Sequence, residues 1–187
     1  MRATVIFLGI FTSLATFAAD TQFGSSTFTV GVGGAFPVSG YRTSGFHNGP
    51  SFVGDYEFGL HRFVAANIGV ENFSLPYDVN SKFGISTNRE RVTLMPFGLR
   101  GIIPLVDDRI ELFAGTGAAI LWSSEYNLGH PFQRNNILWQ LNSGARIAVD
   151  RSKHFRIGPT VKYYRDLGRP TQQWVSVTGD LSFRFGH

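Results

Sequence analysis

The clearest pattern along the chain is a strict alternation near its C-terminal end, over Trp174–Phe185. Val175, Val177, Gly179, Leu181, Phe183 and Phe185 share one parity; Trp174, Ser176, Thr178, Asp180, Ser182 and Arg184 share the other. A period of two places these sets on opposite faces of a strand. One face is then a row of aliphatic groups ending in two phenylalanines. The other carries a carboxylate and a guanidinium. The same reading predicts seven strands upstream, over Ser26–Phe36, Ser51–Leu60, Phe63–Phe73, Glu90–Ile102, Ile110–Trp122, Ile137–Val149 and Phe155–Arg165. In the strand over Ser51–Leu60, Phe52, Tyr56, Phe58 and Leu60 oppose Asp55 and Glu57. The strand over Glu90–Ile102 is apolar on both faces; placing Met95, Phe97 and Leu99 outward turns Arg100 inward. Pro96 lacks a ladder donor, so a bulge is expected there.

The connections alternate in length. Long loops are predicted over Pro37–Pro50, Ser74–Arg89 and Ser123–Asn136, and a shorter one over Asp166–Gln173. Between them lie tight turns at His61-Arg62, around Pro104–Asp108 and over Asp150–His154. Both chain ends fall on the short-turn side, which requires an even number of strands. The expected fold is all-β: a transmembrane, eight-stranded, antiparallel up-and-down β-barrel.

The final alternating strand and the phrase Leu112-Phe-Ala-Gly-Thr-Gly-Ala-Ala carry a family resemblance. From the first strand to Phe185 the chain resembles the eight-stranded outer-membrane barrels of the OmpX-like, OmpA-like and opacity type. The resemblance implies a bacterial outer-membrane location and contact with outer-membrane lipid and lipopolysaccharide. It also implies delivery by the barrel assembly machinery, with Leu181, Phe183 and Phe185 as the assembly signal. The chain departs from the family pattern in Gly186-His187, which follow the terminal aromatic.

Composition agrees with a membrane barrel. Of 187 residues, 14% are aromatic, with 18 Phe, there are 22 Gly, and only 16% are charged. At the N-terminus Arg2 precedes the apolar run Val5–Phe11 and the small residues Ala15, Thr16, Ala18 and Ala19. That order describes a secretory signal peptide. Cleavage after Ala18 leaves Thr16 at the third position before the cut, so the signal is expected over 1–18 and the barrel domain over 19–187. Removing 1–18 takes one base, Arg2, from the 17 and none of the 13 acids, so the excess falls from +4 to +3. The bases are scattered and no nucleic-acid-binding motif is present, so no nucleic-acid partner is expected.

The inward parity collects five acids, Asp55, Glu57, Glu71, Glu111 and Asp180, and five bases, Arg100, Arg146, Arg156, Lys162 and Arg184. Buried charges must pair, so a lumenal network that plugs the barrel is expected, with ion pairing rather than acid/base chemistry at Asp55 and Glu57. Histidine spacing offers no nucleophile with its base: two residues after His47, His61, His130 and His154 come Gly49, Phe63, Phe132 and Arg156. No histidine pair has metal-ligand spacing. Catalytic, cofactor and metal residues are therefore expected to be none. Trp122, Trp139 and Trp174 lie at strand ends near the long loops, and Phe58, Phe63, Phe155, Phe183 and Phe185 near the short turns. Two such belts are expected as interfacial girdles. The loops mix aromatic and basic residues; Tyr41, Arg42, Tyr77, Lys82, Arg134 and Arg169 are the candidate contacts for lipopolysaccharide phosphates or a surface partner. The reading is a structural or surface-interaction barrel with a closed interior. Its rivals are a lipid A-modifying outer-membrane enzyme and a soluble lipocalin-like carrier, which would be apolar inside and polar outside.

Overall fold

The computed structural model describes residues 24–39, 46–81, 84–127, 130–167 and 172–186. The expected signal peptide and its cleavage after Ala18 lie outside them. Eight strands follow in order: β1 (Ser26–Ser39), β2 (Gly49–His61), β3 (Val64–Ser81), β4 (Gly84–Leu105), β5 (Ile110–Asn127), β6 (His130–Ala148), β7 (Phe155–Asp166) and β8 (Gln173–Phe185). Each pairs antiparallel with its sequence neighbours. β8 closes on β1 from Ser26↔Phe185 to Ser39↔Gln173, so the sheet is a closed barrel. Closure satisfies the backbone groups that a sheet edge would leave open, which a wall facing lipid cannot tolerate.

The polarity is that of a transmembrane barrel. Phe28, Val30, Val32, Phe52, Phe97 and Leu141 point outward and are 40–62% exposed. The opposite parity buries Asp55, Glu57, Glu71, Arg100, Glu111 and Arg146, none more than 5% exposed. A soluble carrier would show the reverse. On β4, Met95, Phe97 and Leu99 are outward and Arg100 is inward.

Three expectations need correction. The bulge at Pro96 is absent. Pro96 pairs with Ala119 in an unbroken β4–β5 register, and the β3–β4 ladder lapses after Ile68↔Phe97 and resumes at Glu71↔Leu94 without a shift. The proline is accommodated by a local gap in one ladder. Bulges fall at Pro37/Ser39 and Gly59/His61 instead. Second, 74–81, 84–89, 123–127 and 130–136, expected as parts of two loops, are strand. The β3–β4 ladder continues to Ser81↔Gly84 and the β5–β6 ladder to Asn127↔His130. Outside a membrane both faces of a hairpin can be polar, so alternation fades while backbone pairing continues. Third, Trp174 belongs to no girdle. It is fully buried, while Trp122 and Trp139 are exposed.

Trp174 packs instead in an apolar cluster inside the barrel, toward the long hairpins. Phe73, Leu75, Leu94, Leu121, Leu138 and Tyr164 surround it, each 3% exposed or less. Phe73 and Tyr164 meet the Trp174 ring at 5.6 and 5.7 Å between centroids. A smaller set, Ala65, Ile102 and Phe113, lies toward the short turns.

The β1–β8 seam is tight at Gly33, where an added Cβ would stand 2.7 Å from the Thr178 Cα and 2.8 Å from the Val177 carbonyl carbon. At Gly54, on the outer wall, an added Cβ meets nothing within 4 Å. Gly33→Val should therefore destabilise the folded barrel by about 1–3 kcal/mol, and Gly54→Val by less than about 0.5 kcal/mol. Urea midpoints of the refolded proteins, followed by the folded band on unheated gels, check the contrast.

Candidate functional site

Two regions hold most of the polar chemistry among the described residues: the lumen and the hairpins that rise beyond the apolar wall. In the lumen, alternation places one inward side chain every second residue, and the barrel's narrowness brings opposite walls within reach. Nearest the short turns, Glu111 on β5 receives Arg156 from β7 and Arg184 from β8, each at 2.7 Å. Above it, Glu57 on β2 accepts Arg100 from β4 at 2.6 Å and Arg146 from β6 at 3.0 Å. Arg100 also donates to Asp55 at 2.8 Å and, through Nε, to Asn142 at 3.1 Å. The Phe113 ring lies beneath both guanidiniums, 4.7 Å from Arg100 Cζ and 4.6 Å from Arg146 Cζ. The ion pairs join strands that share no backbone ladder, whereas Phe113 lies on β5, between and paired to the strands of both arginines.

A third level is built on Glu71. Its carboxylate accepts the Ser51 hydroxyl at 2.8 Å and the Tyr164 hydroxyl at 2.6 Å, with Lys162 Nζ 3.4 Å away. Tyr164 links two environments, since its ring belongs to the apolar cluster and its hydroxyl to Glu71. Beyond it Leu75, Leu94, Leu121, Leu138 and Trp174 are wholly inaccessible to solvent. The interior is thus three polar levels below an apolar cluster, with Glu90 and Asp166 also buried on the inward parity beside that cluster.

All ten charged residues singled out in the lumen point inward, but they do not form five pairs. Glu57 and Glu111 each take two guanidiniums and Arg100 spans two acids. Among the described residues Asp180 makes no ion pair. It accepts the Thr160 hydroxyl, and its Oδ1 has no hydrogen-bond partner. The physical reason is position: the inward side chains that neighbour Asp180 across the ladders come from Gly31 and Gly158, which have none to offer.

Of the candidate surface residues, Tyr41, Arg42, Lys82 and Arg169 lie outside the described residues, and so does the Arg134 side chain, although its backbone is part of β6. Tyr77 is not a surface residue. It is 5% exposed, and Phe46 covers it at 4.8 Å between ring centroids, the two residues forming a bridge. The next residue, His47, donates its backbone N–H to Pro76 at 2.7 Å and sets Nε2 3.0 Å from Asp78 Oδ2. The segment before β2 thereby docks on the risen β3–β4 hairpin. His130 begins β6 at the far end of the β5–β6 hairpin, while His61 and His154 are at the short turns, with His154 Nδ1 2.7 Å from the Arg184 carbonyl oxygen. Among the described residues no group of three His, Asp or Glu could hold a metal ion.

The sequence reading missed the apolar cluster, whose signal was present as parity. Phe73, Leu75 and Tyr77 continue the inward parity of Glu71; Leu94 shares that of Arg100, Leu121 that of Glu111, and Trp174 that of Asp180.

Solved structures share this architecture. OprG of Pseudomonas aeruginosa matches with a TM-score of 0.65 at 9% identity, over 89% of this chain and 98% of that one. Ail of Yersinia pestis, solved with the heparin analogue sucrose octasulfate, matches with a TM-score of 0.60 at 14% identity, over 88% and 100%. The N-terminal barrel domain of OprF from Pseudomonas aeruginosa matches with a TM-score of 0.58 at 12% identity, over 87% and 98%. The chain therefore has the fold of the small outer-membrane barrels. No protein-family model and no curated protein sequence matches it.

Arg100 and Arg184 separate a central from a peripheral tie. Arg100→Met strands Asp55 and weakens the hold on Glu57, and should cost about 3–5 kcal/mol. Arg184→Met leaves Glu111 with Arg156, at the rim where Arg184 is 11% exposed on its side chain, and should cost under half as much. Urea midpoints of the two variants in the same lipid check the order.

Proposed function

We propose that this chain is an outer-membrane protein of a Gram-negative bacterium whose barrel is a closed stem and whose work is done by the hairpins it holds above the membrane. One observation carries the reading, the asymmetry of the wall. β3, β4, β5 and β6 have 18, 22, 18 and 19 residues, against 14, 13, 12 and 13 for β1, β2, β7 and β8. A tilted strand needs about 9–11 residues to cross a bilayer. The surplus stands on the side away from the short turns, where outer-membrane barrels place their extracellular loops.

The filled lumen supports a structural and surface-interaction role over transport. The hairpins bear basic residues, Arg89, Arg91 and Arg134, which suit contact with lipopolysaccharide or an anionic saccharide on another surface. A solved barrel of this fold, Ail, is in complex with a heparin analogue, so the chemistry has a precedent on such a scaffold. The reading includes removal of residues 1–18 on export. It also takes Leu181, Phe183 and Phe185, all outward on β8 and 40–49% exposed, as the strand presented to the assembly machinery. No described residue favours a lipid-modifying enzyme.

Replacing residues 76–89 by a two-residue turn, which keeps the buried Leu75 and its partner Glu90, should leave a folded, heat-modifiable barrel while reducing adhesion to heparin-coated surfaces at least severalfold. Retained adhesion with that hairpin removed would contradict the proposal. In planar bilayers the intact protein should give no steady porin-sized current; such a current would place transport first. Phe185→Ala should lower the inserted amount in cells far more than deletion of 186–187, and equal losses would misplace the assembly signal.

A further inference from the structure

The outward residues Phe52, Asn72, Thr93 and Trp122 stand side by side across β2, β3, β4 and β5, each paired with the next. Phe52 and Trp122 are exposed, with apolar Val70 and Met95 below the row and the polar pair Ser74↔Arg91 above it, so this row lies at the upper edge of the apolar wall. Between the two aromatics the row turns polar. Thr93 donates its hydroxyl to Asn72 Oδ1 at 2.8 Å. That leaves the Asn72 amide hydrogens for something outside the protein. One level higher, Ser74 pairs with Arg91, and Pro50 lies beside them. Pro50, Phe52, Asn72, Ser74, Arg91 and Thr93 line a groove of about 200 Å³.

Arg91 and Arg89 are both exposed on the outward parity of β4, roughly 6.6 Å apart along the strand. Among the described residues neither makes an ion pair. Glu90 between them is buried on the inward face. The nearest described acid on the outer face of β3 is Asp78, which His47 holds. Below the groove the outer wall is Gly54, Val70 and Met95, with open space over Gly54.

We propose that this groove binds the phosphorylated headgroup of a membrane lipid. Arg91, with Arg89 above it, faces the phosphate; the Asn72 amide and the Ser74 hydroxyl supply further donors. Phe52 and Pro50 receive the first carbons of the lipid, whose chain then runs down the wall over Gly54. Charge and position together select this occupant. A free anion has no use for the apolar floor, and a zwitterionic lipid offers no unbalanced negative charge to two unpaired guanidiniums. The inference rests on the reading that the barrel spans a membrane, and it adds a lipid site to that reading.

The test uses the full-length mature protein in phosphatidylcholine nanodiscs containing a minor fraction of phosphatidic acid, with lipids retained on the released protein counted by native mass spectrometry. Wild type should retain phosphatidic acid in preference to phosphatidylcholine. Arg91→Gln should weaken that retention by about tenfold or more, Arg89→Gln by less, and Arg151→Gln, exposed at a short turn, not at all. Millimolar inorganic phosphate should not displace the lipid. Equal retention by wild type and Arg91→Gln would overturn the site, and displacement by inorganic phosphate would reduce it to a general anion site and overturn the lipid assignment. Failure of the wild type to enter nanodiscs would overturn the membrane reading itself, and is distinguishable because no lipid count is then obtained.

Discussion

Glu57 lies between two guanidiniums that reach it from other walls of the barrel, Arg100 from β4 and Arg146 from β6. Backbone ladders tie each strand only to its neighbours, so a closed sheet alone is a flexible ring. The ion pairs run across the lumen and tie walls that no ladder joins. They are also mutually dependent, because a charge in a site that water does not reach must keep its partner. Such pairs add little net stability over well-packed apolar groups. What they supply is a fixed relation between opposite strands. Glu111 repeats the device near the short turns, and Glu71 repeats it with a tyrosine and a serine where the lumen begins to turn apolar.

That arrangement explains the apolar cluster. If charged groups filled the barrel to its top, the uppermost would sit beside solvent and its ties would weaken. Phe73, Leu121, Leu138 and Trp174 seal the lumen there. The sealed stem in turn holds β3–β6 in place as they leave the apolar wall, and Phe46 and His47 brace the β3–β4 hairpin from the side. Groups that meet other molecules lie at or above the wall's edge, where rigidity below keeps their spacing fixed.

Much of the fold was legible because lipid and lumen impose opposite chemistry on alternate residues. Eight strands, their order and the inward position of the ten charges singled out follow from parity, as in Asp180 against Leu181 or Arg146 against Ile147; Glu90 and Asp166, also buried on the inward parity, fall at the predicted loop boundaries and were missed. Legibility ended where that contrast ended. Above the wall Leu75 and Tyr77 alternate with Pro76 and Asp78, and a segment containing proline and polar residues reads as a loop although its backbone is paired to Ser81↔Gly84. Trp174 has inward parity but was also assigned to a girdle by residue type; parity was the better guide. The interfacial groove left no trace in any single segment, because its donors come from β3 and β4 and its apolar side from β2, and they meet only through register.

The central claim is that cross-lumen ion pairs act as one unit, and a double-mutant cycle on Glu57 and Arg146 measures this most directly. Unfolding free energies of Glu57→Gln, Arg146→Met and the double variant would be obtained from urea titrations in one lipid. The account predicts that the second substitution adds far less than it costs alone, with a coupling of about 1–3 kcal/mol. Additivity within about 0.5 kcal/mol would show that the two groups do not depend on each other and would contradict the account.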